Sequence, residues 1–220
     1  MLTQIYEVTS AQEAAAISEM GVDHIGVLVG DGSFPREQSV ASAVEIAASI
    51  RRPSKLSALF LTSDLDYVVR AIRELEPAIV HLGAAPELVT PEHVLELKRV
   101  VPATLVMRSV PVVGLESIDV AQRYEGIADF LLLDSYQAND RQIGALGVTH
   151  DWSISRQIVE RMRAPVILAG GLGPDNVAEA IRVVRPAGVD SKTRTDKGDT
   201  HTKDLEMVRL FERLAKQAVA

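Results

Sequence analysis

Residues 165–190 carry an apolar run, a Gly170-Gly171 turn, a helical stretch and a second apolar run ending in Asp190. A turn that offers backbone N–H groups beside a helix start is an anion cradle, because the unpaired amides and the positive end of the helix dipole point the same way. The ligand this pattern suggests is a phosphate. Gly173 is expected as the N-cap of the helix and Pro174 as its first residue, where a missing N–H costs nothing. The plainer alternative is a strand-to-helix turn that needs glycine for its backbone angles, and the two glycines alone do not decide between them. The next segment, Ser191 to Gly198, sets three cations (Lys192, Arg194 and Lys197) and three hydroxyls (Ser191, Thr193 and Thr195) beside that turn. A third candidate is Asp134, which directly follows Phe130-Leu-Leu-Leu133. A carboxylate leaving a buried strand is desolvated, which raises its pKa towards general-acid work. A turn aspartate bonded to its own loop is the alternative.

These residues need elements to hold them. The chain repeats one unit: a short apolar, β-branched run, a polar turn, then an amphipathic stretch of helical period. Strands are predicted at Leu2–Val8, His24–Val29, Leu56–Leu61, Ile79–Leu82, Thr104–Val110, Phe130–Leu133, Val166–Ala169 and Gly188–Asp190. Helices are predicted near Ala11–Met20, Val40–Ile50, Leu65–Leu75, Pro91–Val100, Ser117–Tyr124, Ile154–Met162, Pro174–Val184 and Asp204–Ala218. Ser10 and Ser63 are expected to cap the first and third helices, and Asp151 the sixth. Strict alternation calls for a parallel sheet covered by helices. Eight such units in 220 residues predict an α/β chain with one domain, residues 1–220, folded as a (β/α)8 TIM barrel. A doubly wound open sheet is the alternative. In a barrel, chemistry gathers at the C-terminal strand ends, and the loops after strands seven and eight frequently hold phosphate.

Composition excludes several classes. With 23 basic and 30 acidic residues the formal charge is −7, so a general footprint for nucleic acid is missing and an anion must be bound locally. No cysteine is present, which removes disulfides, thiolate ligands and a thiol nucleophile. No apolar run approaches a membrane span and no secretory leader is visible, so a cytoplasmic protein is expected. The histidines at 24, 81, 93, 150 and 201 lack metal-ligand spacing, and a Gly-x-Gly-x-x-Gly motif is absent, so neither metal nor dinucleotide is expected and no cofactor is implied. His81, at the end of a strand, reads as a satisfied polar residue, and Trp152 as an anchor at a helix start. The expected partner is a small phosphorylated metabolite, and pairing with a second copy is left open.

Three blocks of the C-terminal third carry a resemblance. Leu132-Leu-Asp134, a loop rich in small residues and His150-Asp-Trp152 form the first; Leu168-Ala-Gly-Gly-Leu-Gly-Pro-Asp-Asn-Val177 is the second, and Val184-Arg-Pro-Ala-Gly-Val-Asp190 the third. In order and spacing they resemble the Leu-Leu-Asp … Phe-Asp-Trp and Gly-Gly-Leu-Asn-Pro-Glu-Asn-Val blocks, and the strand that follows, of phosphoribosylanthranilate isomerases of tryptophan biosynthesis. Ser10–Ile25 and Arg36 extend the likeness, Arg36 falling near a family arginine that contacts the substrate's carboxylate. The resemblance implies an Amadori rearrangement of a phosphorylated ribosylamine, with Asp134 as the acid that opens the ring and a base at the end of strand one. There the family has Lys-Ile-Cys-Gly-Ile-Thr with cysteine as base, whereas this chain has Gln4-Ile-Tyr-Glu-Val-Thr9. Tyr6 replaces the cysteine and Glu7 the glycine. A phenol with a reference pKa near ~10 is a poor neutral-pH base. The family's Ser-Ser-Gly phosphate turn is replaced by Ser191-Lys-Thr-Arg194.

The sequence therefore supports an isomerase-like enzyme on a phosphorylated sugar or sugar-amine, divergent from the anthranilate-pathway enzymes. Catalysis is expected of Asp134, Glu7 and Tyr6; substrate and phosphate binding of Gly170, Gly171, Ser191, Lys192, Thr193 and Arg36. Glu7 faces away from the barrel interior unless the strand has already ended before it. Two alternatives stand beside this: a Schiff-base lyase or aldolase using Lys192, and a barrel that binds a phosphometabolite without turning it over.

Overall fold

The structure, a computed structural model, describes residues 1–136, 148–198 and 200–218. The small-residue loop that follows Asp134 lies largely outside them. Eight strands alternate with eight helices: β1 Leu2–Ile5, α1 Ala11–Glu19, β2 His24–Leu28, α2 Val40–Ser49, β3 Lys55–Phe60, α3 Leu65–Leu75, β4 Ile79–Leu82, α4 Pro91–Val100, β5 Leu105–Pro111, α5 Glu116–Gln122, β6 Phe130–Asp134, α6 Trp152–Arg161, β7 Val166–Leu168, α7 Val177–Val184, β8 Gly188–Ser191 and α8 Leu205–Gln217. The strands are all parallel and close in sequence order, with β8 pairing back onto β1, so the chain is a (β/α)8 barrel. The open-sheet alternative is excluded by that pairing.

Local chemistry sets the elements. The Ser10 side chain accepts from the Glu13 amide and opens α1, and Asp151 accepts from Ser153 to open α6, as their positions predict. In α3 the cap is Asp64, accepting from Tyr67, and not Ser63: the helix starts one residue later than the hydroxyl requires. Its buried face is Val68, Ala71, Ile72 and Leu75, the i, i+3, i+4, i+7 stripe that seats a helix on a sheet. Val68, Ile72 and Leu75 each contribute about 1.5–3 kcal/mol by leaving water, and Ala71 less.

Two predicted boundaries move. β1 stops at Ile5 instead of Val8 because Glu7 adopts a left-handed conformation, φ +57°, that no strand can carry. α7 begins at Val177, not Pro174, since Gly173 to Asn176 form a turn in which the Asn176 side chain accepts the Gly173 amide at 2.9 Å. Gly173 is therefore not the cap.

Period-2 alternation divides the apolar residues into two sets. One, including Ile5, Ile25, Val27, Ala58, Val80, Val106, Leu131 and Val189, faces the helices and makes the main core. The other is small: Tyr6, Ile79, Met107, Leu132, Ile167 and Ala169 fill the barrel interior, with Leu59 and Phe130 against them. Gln4, His24, Ser57, His81, Ser109 and Asp190, all buried, bring polar groups into the barrel. Ser57 bonds the Tyr6 hydroxyl and the others bond one another, so these polar groups are satisfied from within.

Candidate active site

Just past the end of β1, Tyr6 points into the barrel. Its hydroxyl is 2.7 Å from Ser57 Oγ and 2.7 Å from His81 Nδ1, and His81 Nε2 lies 2.7 Å from Ser109 Oγ. The chain Ser57–Tyr6–His81–Ser109 thus spans β3, β1, β4 and β5 beneath the mouth. Burial pushes the Tyr6 phenol well above 10, while the same burial, with Arg108 nearby, lowers His81 to about 3. Both are neutral at pH 7. The tyrosine ring fits because residue 26 is glycine: a Cβ there would stand 2.1 Å from Tyr6 Cδ1.

The left-handed turn at Glu7 swings its side chain back over the mouth, which strand alternation alone would have forbidden. The carboxylate, 6% exposed, takes Arg36 Nε at 2.5 Å, Arg36 Nη2 at 3.0 Å and Lys192 Nζ at 3.4 Å. Lys192 also reaches Asp196 at 3.0 Å, and Asp196 binds Lys203 at 2.6 Å. The sequence Arg36–Glu7–Lys192–Asp196–Lys203 is a ladder of alternating charge running from the mouth into the protein.

Two further carboxyls reach the same mouth, one from β6 and one from β8, the neighbour of β1. Asp134 ends β6 and Asp190 lies one residue before the end of β8. Desolvation raises Asp134 to about 7, against the pull of the Ser135 amide at 2.7 Å and the Ser135 hydroxyl. Asp190 is raised well above the usual carboxylate range by burial first and by the Asp134 charge second, with a single hydrogen bond from Gln4 Nε2 at 3.2 Å opposing it. Burial thus biases both carboxyls towards the protonated form that a general acid requires.

The open cavity between these walls, about 450 Å³ including its solvent-filled mouth, is lined by Tyr6, Glu7, Asp134, Asp190 and Lys192 among others. A smaller annex of about 270 Å³ continues from it past Gly170, Gly171, Leu172 and Thr193, sharing Asp134, Asp190 and Lys192. Gly170 and Gly171 have φ of +83° and +59°, so the turn is one that glycine adopts without strain. Among the described residues no group of three His, Asp or Glu side chains is placed to hold a metal ion, and no helix is long and apolar enough to cross a membrane.

The structure brings Tyr6, Glu7, Asp134, Lys192, Gly170, Gly171 and Thr193 to one cavity system. Two predicted residues stand behind it. The Ser191 hydroxyl is turned away, donating to Leu172 O at 2.7 Å and tying β8 to the β7 loop. Arg36 meets Glu7 and is not among the residues lining the cavity. Asp190 was missed as a site residue, although a carboxylate at a strand's C-terminal end is the signal that singled out Asp134. His81 is the satisfied buried residue expected, and Trp152 packs half-buried against the core.

Comparison with known proteins follows the same lines. The model of the N-(5'-phosphoribosyl)anthranilate isomerase family matches residues 3–213. The N-(5'-phosphoribosyl)anthranilate isomerase of Methanocella arvoryzae is 37% identical over 92% of each chain, and that of Haloferax volcanii 33% identical over 96% of this chain and 91% of the relative. Among solved structures, the Pyrococcus furiosus isomerase superposes with a TM-score of 0.80 at 25% identity, covering 99% of each chain. A Thermotoga maritima relative, 25% identical with a TM-score of 0.79 over 99% of this chain and all of its own, is a dimeric isomerase from which monomers were generated.

Proposed function

We propose, for a chain that belongs to the N-(5'-phosphoribosyl)anthranilate isomerase family, that residues 1–220 act as one barrel domain isomerising a phosphorylated sugar or sugar-amine from aldose to ketose form. The observation that carries this reading is Asp134, held near neutrality at about 7 in a cavity whose wall also carries Glu7 and whose annex is a glycine turn. In this reading the annex takes the phosphate, with the Gly170 and Gly171 amides as donors, Lys192 as a point charge and Thr193 at the rim. Asp134 gives its proton to the ring oxygen as the C1–O bond breaks, leaving a C1=N iminium. Glu7 then removes the proton from C2 to give the enolamine, and that proton returns to C1 as the C2 hydroxyl gives its own proton to the Asp134 carboxylate and becomes the ketone. A bound phosphate competes for Lys192, and so loosens the one cation that Glu7 shares with Asp196. Tyr6 serves as the floor of the cavity and not as a base, since its hydroxyl is already bonded on both sides.

Lys192 as a Schiff-base nucleophile loses support, because its ammonium is engaged by two carboxylates, the setting of a charge contact. Crystals grown with phosphate or sulfate should show an anion between Gly170-Gly171 and Lys192–Thr193, and Lys192→Met should weaken that anion about tenfold or more, the worth of a charge-assisted hydrogen bond. Anions bound only elsewhere would overturn the placement. A borohydride-trapped adduct on Lys192 would restore the aldolase reading.

The substrate is divergent in this reading, because Arg36 is spent on Glu7 and Tyr6 fills the space of a thiol. Phosphoribosylanthranilate should therefore turn over slowly beside the Methanocella relative assayed under the same conditions. The double variant Tyr6→Cys, Glu7→Gly should raise that activity by ~10²–10⁴, the usual worth of a placed general base. Wild-type turnover equal to the relative's would show that Glu7 serves the anthranilate substrate directly. Absence of turnover with every phosphorylated sugar or sugar-amine, despite anion binding, would instead favour a binding barrel. Whether it pairs with a second copy, as the Thermotoga relative does, is read by sedimentation.

A further inference from the structure

We propose that His150 is a positioning residue for Asp134, its buried Nδ1–H facing the aspartate across Gly170 so as to receive the carboxylate that forms when the acid gives up its proton. The inference rests on the reading of Asp134 as the acid. His150 precedes α6, and its Nε2 lies 2.7 Å from the Oγ of Ser155, a fully buried residue of that helix. Its other nitrogen, Nδ1, is buried and has no hydrogen-bond partner among the described residues. A buried ring nitrogen without a partner is costly, and so stands ready for an acceptor that appears beside it.

What Nδ1 faces is set by a missing side chain. A Cβ on Gly170 would stand 2.8 Å from His150 Nδ1 and 3.3 Å from Asp134 Oδ1, so imidazole and carboxyl approach the same point from two sides. With glycine there, no side chain stands between the imidazole nitrogen and the carboxyl oxygen. Burial keeps the imidazole neutral, at about 4, opposed by the charge of Asp151 beside it; on the aspartate side the group that answers is Asp190. His150 is not among the residues lining either cavity, so its influence passes through Asp134. If Ser155 donates to Nε2, the single ring proton sits on Nδ1, a donor waiting for an acceptor. Protonated Asp134 offers a poor one. The carboxylate left after ring opening is a good one, and a charge-assisted hydrogen bond is roughly twice as strong as a neutral one.

The tautomer and the coupling are both measurable. In ¹⁵N-histidine NMR, one ring, identified by its loss in His150→Phe, should stay neutral in the Nδ1–H form and show its Nδ1 shift step near pH 7, where Asp134 titrates. The step should vanish in Asp134→Asn. The Nε2–H tautomer, or a shift indifferent to Asp134→Asn, would overturn the proposal. This arm needs no substrate, so it stands or falls separately from the proposed reaction. In turnover, His150→Phe should lower kcat about tenfold or more with little change in KM. It should also move the alkaline limb of the kcat profile upward, because Asp134 then holds its proton more tightly. His150→Asn, which restores an N–H, should bring the limb back towards wild type. A fall in kcat with no movement of the limb in either variant would mark a merely structural role.

Discussion

Asp134→Asn should abolish turnover of the true substrate, by ~10²–10⁴ in kcat, while leaving substrate binding nearly intact, since an amide keeps the shape of the acid but cannot deliver its proton. The same variant should be the more stable protein at pH 8. A carboxyl whose folded pKa is raised contributes its full stability below its unfolded value near ~3.9, and loses it as pH rises through the folded value. For Asp134 the window runs from there to about 7. Ionising it in place costs about 2–4 kcal/mol, a cost the amide never meets. Urea melts at pH 4.5 and pH 8 should therefore diverge in the wild type and draw together in the variant. Equal pH dependence of stability in both proteins would remove the claim that burial tunes this acid. In wild-type kinetics the sign is the same: kcat falls as pH rises past about 7, because the acid loses its proton.

Lys203→Met should cost about 3 kcal/mol in urea unfolding and weaken phosphate binding together. The ammonium is fully buried, bonds Asp196 at 2.6 Å and donates to Lys192 O at 3.2 Å, and the carboxylate it serves is only 2% exposed. Removing one member of a buried pair leaves the other uncompensated, which typically costs 3–5 kcal/mol. Lys192 still reaches Asp196 at 3.0 Å, which places the loss at the low end. That residual contact is also why binding suffers: Lys192 is drawn inward from the annex. A loss under 1 kcal/mol, or unchanged affinity for phosphate, would show the ladder to be passive.

The barrel was legible because each strand–helix unit writes both periods in its residues, and eight units leave little choice of architecture. Asp134 was legible as well, since an acid at the end of an apolar strand has one place to go. The reach of Glu7 was not. Left-handed backbone at a glutamate leaves no trace in composition, and alternation pointed its side chain the other way. Asp190, Ser57, His81 and Ser109 become neighbours only through barrel closure and register, which bring β1 beside β8 and place four strands around one tyrosine. The start of α7 was misplaced because proline suits both a first helical turn and a tight turn before one, and the Asn176 side chain decides it. Ser191 reads as a phosphate hydroxyl by its position, and only the folded chain brings the Leu172 carbonyl to which its hydroxyl donates.

Tyr6 and Gly26 also constrain the history of the chain. With tyrosine in place, even alanine at position 26 would overlap the ring. Glycine at 26 is therefore a condition of tyrosine at 6. In the other direction, replacing the tyrosine alone strands Ser57 and His81 without partners and opens a hole that glycine cannot close. Neither step is neutral by itself, so the two positions are coupled: laboratory lineages that put a small residue at position 6 should acquire a larger residue at 26 as their second change, and never as their first.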